Sequence, residues 1–143
     1  MNTRDVFFRV MNLMHRAVLR ASGGRLGGTG LGMPVLELTT TGRRSGQERT
    51  VLLTAPLRTD DEIVIVASKG GDARNPAWFW NLSENPDVTV RIEGVTRPMR
   101  ARAATGTERD ELWARITAEH DNYAGYQRRT DRVIPVVVLG PRP

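Results

Sequence analysis

A chain of 143 residues with 39% hydrophobic side chains can bury one core and is too short for two full-sized ones, which argues against a multidomain protein. The absence of cysteine excludes disulfides, thiolate metal sites and cysteine nucleophiles, and it fits a reducing cytoplasm. A formal charge of +5 favours anionic partners. His15 and His120, the two imidazoles, lie far apart without suitably spaced carboxylates, so no metal is expected. Of the 21 basic residues, 20 are arginine and one is lysine, which singles out Lys69. Nucleic acid is not an expected partner: the arginines are scattered over helix, turn and strand, with no basic run interleaved with stacking aromatics.

In chain order, Val6, Phe7, Val10, Met11, Met14, Val18 and Leu19 recur at helical spacing opposite an arginine-rich face. The interleaved charges exclude a signal peptide and a membrane span. Two placements of this helix stay open, on the domain's own core or on an anionic membrane surface, the latter giving a peripheral position on the inner face of the cell membrane. Residues 22–32 contain six glycines and read as a linker. The expected division is therefore 1–24 for the helix and start of the linker, and 25–143 for the folded domain.

Strands are expected over 35–40, 49–57 and 62–67, with a turn at Thr59, Asp60 and Asp61. A helix over 76–84 follows, with Asn75 as its cap and Pro76 in its first turn. Strands 88–92 and 95–103 join across Glu93 and Gly94 as a hairpin. Thr107 is the expected cap of a helix reaching His120, and a short second helix carries Tyr123 and Tyr126 on one face. The last strand, 133–139, contains Pro135, which points to an edge or early-strand position. The sum is a mainly β, α+β fold: about six mostly antiparallel strands with flanking helices. A small closed or nearly closed barrel would hide their edges.

Between the first two long strands, Arg43, Arg44 and Arg49 surround a turn punctuated by Gly42 and Gly46. Guanidinium forks match phosphate and carboxylate oxygens, so this turn reads either as an anion site or as a solvated hairpin of an arginine-rich protein. Lys69 follows the apolar run 63–67, at the point where a strand ends and exposes backbone amides.

Three segments, T-T-G-R-R-S-G-Q-E-R, A-S-K-G-G-D-A-R-N-P-A-W-F-W-N-L and Y-A-G-Y-Q-R-R-T-D-R-V-I-P-V-V-V-L, in this order and spacing, resemble the deazaflavin-dependent nitroreductase family. The likeness runs from about residue 27 to 139. It implies a split β-barrel that binds reduced coenzyme F-420 and passes hydride to an electrophilic acceptor of quinone, enone or nitroaromatic type. By the same resemblance, Arg43, Arg44, Ser45 and Arg49 match the turn for the cofactor's phosphate and glutamate tail. Ser68, Lys69 and Gly70 match a loop at the barrel mouth, and Ala77, Trp78 and Asn81 match a helix bordering the ring. Trp78 reads equally as an aromatic wedge in the core.

Tyr123 and Tyr126 fall on positions that bound the family's acceptor pocket. His120 stands where a third tyrosine occurs and Thr54 near another aromatic position, and both substitute smaller polar groups. Ser68, Tyr123, Tyr126 and His120 are the expected hydrogen-bonding groups for the acceptor oxygen, although His120 also suits a helix C-terminus. The alternatives are an FMN-binding split-barrel oxidoreductase and a non-catalytic cofactor carrier. Pairing of two copies is compatible with related split barrels.

Overall fold

The computed structural model describes residues 29–30 and 32–143. The expected N-terminal helix and its membrane reading fall on residues outside these. The described residues form eight strands: β1 (Thr29–Gly30), β2 (Met33–Thr41), β3 (Glu48–Thr54), β4 (Leu57–Arg58), β5 (Ile63–Val66), β6 (Asp87–Ile92), β7 (Val95–Ala103) and β8 (Val136–Pro141). Among the described residues three helices accompany them, α1 (Ala77–Glu84), α2 (Gly106–Glu119) and α3 (Asp121–Arg128), with one 3-10 turn at Lys69–Gly71. Every strand pairing is antiparallel.

The strands run in the order β3-β2-β6-β7-β8-β5-β4, with β1 paired to the start of β2. No pairing joins β3 to β4, so the sheet is not closed. Yet only Ala55 and Pro56 separate these two strands in the chain. The three Cα–Cα steps from Thr54 to Leu57 span at most about 11 Å, so the sheet must curl until its ends are neighbours. The expected single strand over 49–57 is broken here because Pro56 has no amide for a ladder. Ala55 instead donates its N–H to the Pro34 carbonyl at 2.9 Å.

Alternation along β5 and β8 divides the molecule into two cores. Ile63, Ile65, Val137 and Leu139 face the inside of the curl, where they meet Leu36, Leu38, Val88, Val90, Ile92, Met99 and Ala101, with Trp78 and Leu82 of α1. Val64, Val66, Val136 and Val138 face outwards and are covered by Ile116 of α2 and Tyr123 of α3, together with Met33, Leu57 and Ile134. β8 lies between β7 and β5, so it is not an edge strand. Pro135 precedes its first residue, which keeps the missing amide out of the central ladder, and its carbonyl accepts from the Ala67 N–H at 2.9 Å.

The hairpin between β6 and β7 turns through Glu93 (φ 51°) and Gly94 (φ 79°), the left-handed pair of a two-residue turn whose twist matches its strands. Thr105, not Thr107, is the residue preceding α2, and its side chain makes no capping bond. Asn75 likewise does not cap α1: Pro76 occupies that position, and the Asn75 amide oxygen accepts from Arg132.

Ile65 is fully buried in the inner core. Ile65→Ala should lower unfolding free energy by about 2–5 kcal/mol, read from urea denaturation, whereas Val133→Ala, at an exposed position outside β8, should change it little.

Candidate functional site

The arginine turn is built from β2 and β3 and seated on α1. Its backbone closes through the Gly42 N–H to the Gln47 carbonyl and the Gly46 N–H to the Gly42 carbonyl, both 2.8 Å. Gly46 has φ 73°, and a side chain on Gly42 would put its Cβ 2.8 Å from Ser45 Oγ. Ser45 Oγ in turn accepts from the Gln47 N–H at 3.1 Å. Asn81, 5% exposed, anchors the turn to the helix: its Oδ1 accepts from the Arg43 N–H at 3.1 Å and its Nδ2 donates to Thr40 Oγ1 at 3.2 Å. Thr40 is itself buried on the inward register of β2, after Leu36 and Leu38. Arg43, Arg44 and Arg49 form no ion pair with any other described residue.

From Arg49 the same face of β3 continues into Val51 and Leu53, opposite Thr40, Leu38 and Leu36 of β2. Both apolar side chains, with Phe79 of α1, are only partly buried against the inner core. A charged end thus runs into an apolar strip along one strand. Trp78 sits within the inner core and Ala77 is exposed at the start of α1.

After β5 the chain makes a tight loop. Lys69, Gly70 and Gly71 all have positive φ (46°, 64° and 84°), and the loop closes through the Gly71 N–H to the Ser68 carbonyl at 2.9 Å and the Asp72 N–H to the Lys69 carbonyl at 3.1 Å. A Cβ on Gly71 would lie 2.7 Å from the Tyr126 carbonyl, so only glycine lets the loop press against α3. The Arg129 guanidinium lies 5.7 Å over the Tyr126 ring, and its Nη1 donates to the Gly70 carbonyl at 3.3 Å. Arg132 reaches the loop from the connection between α3 and β8. It donates to the carbonyls of Ala67, Ser68 and Asp72 and to Asn75 Oδ1. Burial pulls the Arg132 pKa down and the Asp72 carboxylate opposes it; a guanidinium stays charged throughout.

The tyrosines form a third group. Tyr123, 4% exposed, shares a 2.8 Å hydrogen bond with the Thr54 hydroxyl. Its ring meets Tyr126 edge-to-face at 5.9 Å and His120 at 6.5 Å. Burial raises the Tyr123 pKa, the Thr54 hydrogen bond lowers it and Tyr126 raises it, so the phenol is neutral at physiological pH. His120 ends α2 by donating its N–H to the Ile116 carbonyl, and stands immediately before α3. Thr54, His120, Tyr123 and Tyr126 are therefore one cluster, joined to the Ser68–Gly70 loop through the contact of Gly71 with Tyr126.

The pairing of Arg132 with Asn75 has no local signal in the sequence, where Asn75 reads as a helix cap. One arginine among 20 has no signature of its own. Thr40 did leave a trace, being a polar residue on the inward alternation of an apolar strand.

Residues 11–141 match the family model described as F420H(2)-dependent quinone reductase. An F420H(2)-dependent quinone reductase of Mycobacterium tuberculosis is 41% identical over 133 residues, covering 90% of this chain and 89% of the relative. Among solved structures, an F420-H2 dependent reductase (FDR-A) aligns at TM-score 0.67 and 38% identity, over 74% of this chain and 93% of that one. Another, described as a domain-swapped dimer, aligns at TM-score 0.68 and 35% identity, over 87% and 98%.

Asn81→Ala would take this partner from the part-buried Arg43 N–H and from the buried Thr40 hydroxyl. A loss of about 1–3 kcal/mol in unfolding free energy is expected, measured by denaturant titration; an unchanged midpoint and slope would contradict the bridging role.

Proposed function

Because the chain belongs to the F420H(2)-dependent quinone reductase family, we propose that its arginine turn and the loop after β5 hold reduced coenzyme F-420 while the tyrosine cluster receives the acceptor. The protein is an oxidoreductase of this family. F-420, when bound in its reduced form, supplies the hydride that converts a quinone, with one proton, to the hydroquinone. FMN is not favoured as the cofactor, and the acceptor class narrows to quinones.

The single observation that carries the assignment of the site is the arginine turn. Three guanidiniums without carboxylate partners among the described residues stand at one end of an apolar strip on β3. Such a donor set fits a ligand with a polyanionic tail and a flat apolar ring better than it fits a solvated hairpin, in which mobile arginines need no buried Asn81 bridge. Arg43, Arg44, Ser45 and Arg49 would hold phosphate and carboxylate oxygens. Ser68, Lys69 and Gly70 would meet the cofactor with a hydroxyl, an ammonium and backbone amides. Ala77 and Trp78 would border the ring from α1, with Trp78 doing so from within the core. Asn81 would act through the turn it anchors.

On the acceptor side, charge develops on a quinone oxygen and needs a donor aimed at it. Tyr126 is the more accessible of the two phenols and lies beside the loop, so it is assigned that donor. Tyr123, with its hydroxyl bonded to Thr54, would hold the wall behind it, and His120 and Ser68 are further donors at its margin. Proton delivery through solvent suits this arrangement; the buried carboxylate of the loop, Asp72, accepts from the Arg74 N–H at 2.9 Å and lies 3.4 Å from the Arg74 Nε. Pairing of two copies belongs to the same reading, prompted by the domain-swapped relative.

Replacing Arg43, Arg44 and Arg49 together by Ala should weaken F-420 binding by roughly 1.5–3 kcal/mol for each charged hydrogen bond lost, with the fold retained. Titration of intrinsic tryptophan fluorescence with F-420 reads this directly, and unchanged affinity would sink the anion-site assignment. Tyr126→Phe should lower quinone turnover by up to about 10²-fold at unaltered F-420 affinity; identical kinetics would make Tyr126 a packing residue.

A further inference from the structure

We infer that Arg132 is a positioning residue for the cofactor site: it clamps the loop that presents Ser68, Lys69 and Gly70, holding the left-handed turn at Lys69, and fixes that loop relative to the tyrosine helix. The inference rests on the cofactor reading above.

Four hydrogen bonds make the clamp. Arg132 Nε donates to the Asp72 carbonyl at 2.8 Å and Nη1 to Asn75 Oδ1 at 2.7 Å. Nη2 donates to the carbonyls of Ala67 at 3.1 Å and Ser68 at 2.8 Å. One planar group therefore ties together the end of β5, both sides of the Lys69 turn and the residue before Pro76. The loop needs such a tie. Lys69 has φ 46°, a region that a residue with a Cβ occupies at some energetic cost and keeps only where surroundings over-determine it. Between residues 68 and 72, the Gly71 and Asp72 amides close the turn on the Ser68 and Lys69 carbonyls.

Arg132 also stands in the segment that leads from α3 into β8, so the clamp is a mechanical link between the two halves of the site. On one side lies the loop; on the other, α3 carries Tyr126, whose carbonyl faces Gly71. Arg129 adds a second, exposed tether from Gly70 to the Tyr126 ring. Lysine cannot reproduce the Arg132 contacts, because a point ammonium cannot direct donors along one plane towards three carbonyls and a distant amide. Neither core depends on Arg132, since its bonds go to loop carbonyls and one loop side chain, whereas β5 and β8 are held by their own ladders.

Hydrogen exchange on the cofactor-free full chain tests the clamp without requiring turnover. Arg132→Gln should accelerate exchange at least about tenfold over residues 67–76 while the amides of β5 and β8 keep their protection. In fluorescence titration the same variant should bind F-420 at least about tenfold more weakly, and in steady-state assays KM for reduced F-420 should rise more than kcat falls. Arg132→Lys should retain most of the defect. Wild-type exchange over 67–76 and wild-type F-420 affinity in Arg132→Gln would overturn the inference. Should Arg132→Gln fail to fold, Asn75→Ala removes one of the four anchors; smaller shifts in the same direction support the clamp, and unaltered exchange over 67–76 contradicts it. If the wild-type protein itself fails to bind F-420, the cofactor reading fails, and the exchange result still decides whether Arg132 holds the loop.

Discussion

Two adjacent strands that are apolar on both faces organise the rest of this molecule. Every residue of β5, and the first four of β8, is buried. Neither face can be left to water, so the sheet curls to cover one and α2 and α3 pack over the other. The positions of the candidate site residues follow from that requirement. Covering the outer face brings α3, with Tyr123 and Tyr126, beside the loop that leaves β5. Covering the inner face brings α1 across the curl, where Asn81 meets the arginine turn.

Charge and apolar surface are segregated along one strand. Arg49 marks the charged end of β3, Val51 and Leu53 the apolar middle, and Thr54 the end that meets Tyr123 on the opposite face. A ligand with an anionic tail and a planar ring can be bound by such a strand without burying an uncompensated charge, since the guanidiniums stay at the exposed rim. The interior contacts do the positioning: Asn81 fixes the turn and Arg132 fixes the loop. Both use hydrogen bonds to backbone groups, which hold a chain path irrespective of the neighbouring side chains.

Much of this was legible in the sequence, and the exceptions have physical reasons. The apolar runs of β5 and β8 announce themselves because strands buried on both faces cannot alternate. The β6–β7 hairpin was legible from Glu93-Gly94, and the arginine turn from its glycines. Pro135 pointed to an edge or an early-strand position; the strand is central, and a proline one residue ahead of it removes no ladder bond. Pro56 broke the expected strand over 49–57 into β3 and β4, which is what lets the sheet turn back on itself. Asn75 and Thr107 looked like helix caps because their spacing suits that role, but Arg132 takes the Asn75 side chain and α2 already begins at Gly106, ahead of Thr107. Arg132 itself was invisible. Its role depends on acceptors 57 to 65 residues away, a relation that no local pattern encodes.

The most direct test of the account is to mix the full chain with chemically reduced F-420 and a soluble naphthoquinone under anaerobic conditions, and to follow the reappearance of oxidised F-420 by absorbance. The account predicts protein-dependent oxidation with one equivalent of quinone consumed per F-420, saturating in both components. Oxidation no faster than in the protein-free control, or equal activity with reduced FMN in place of F-420, would contradict it.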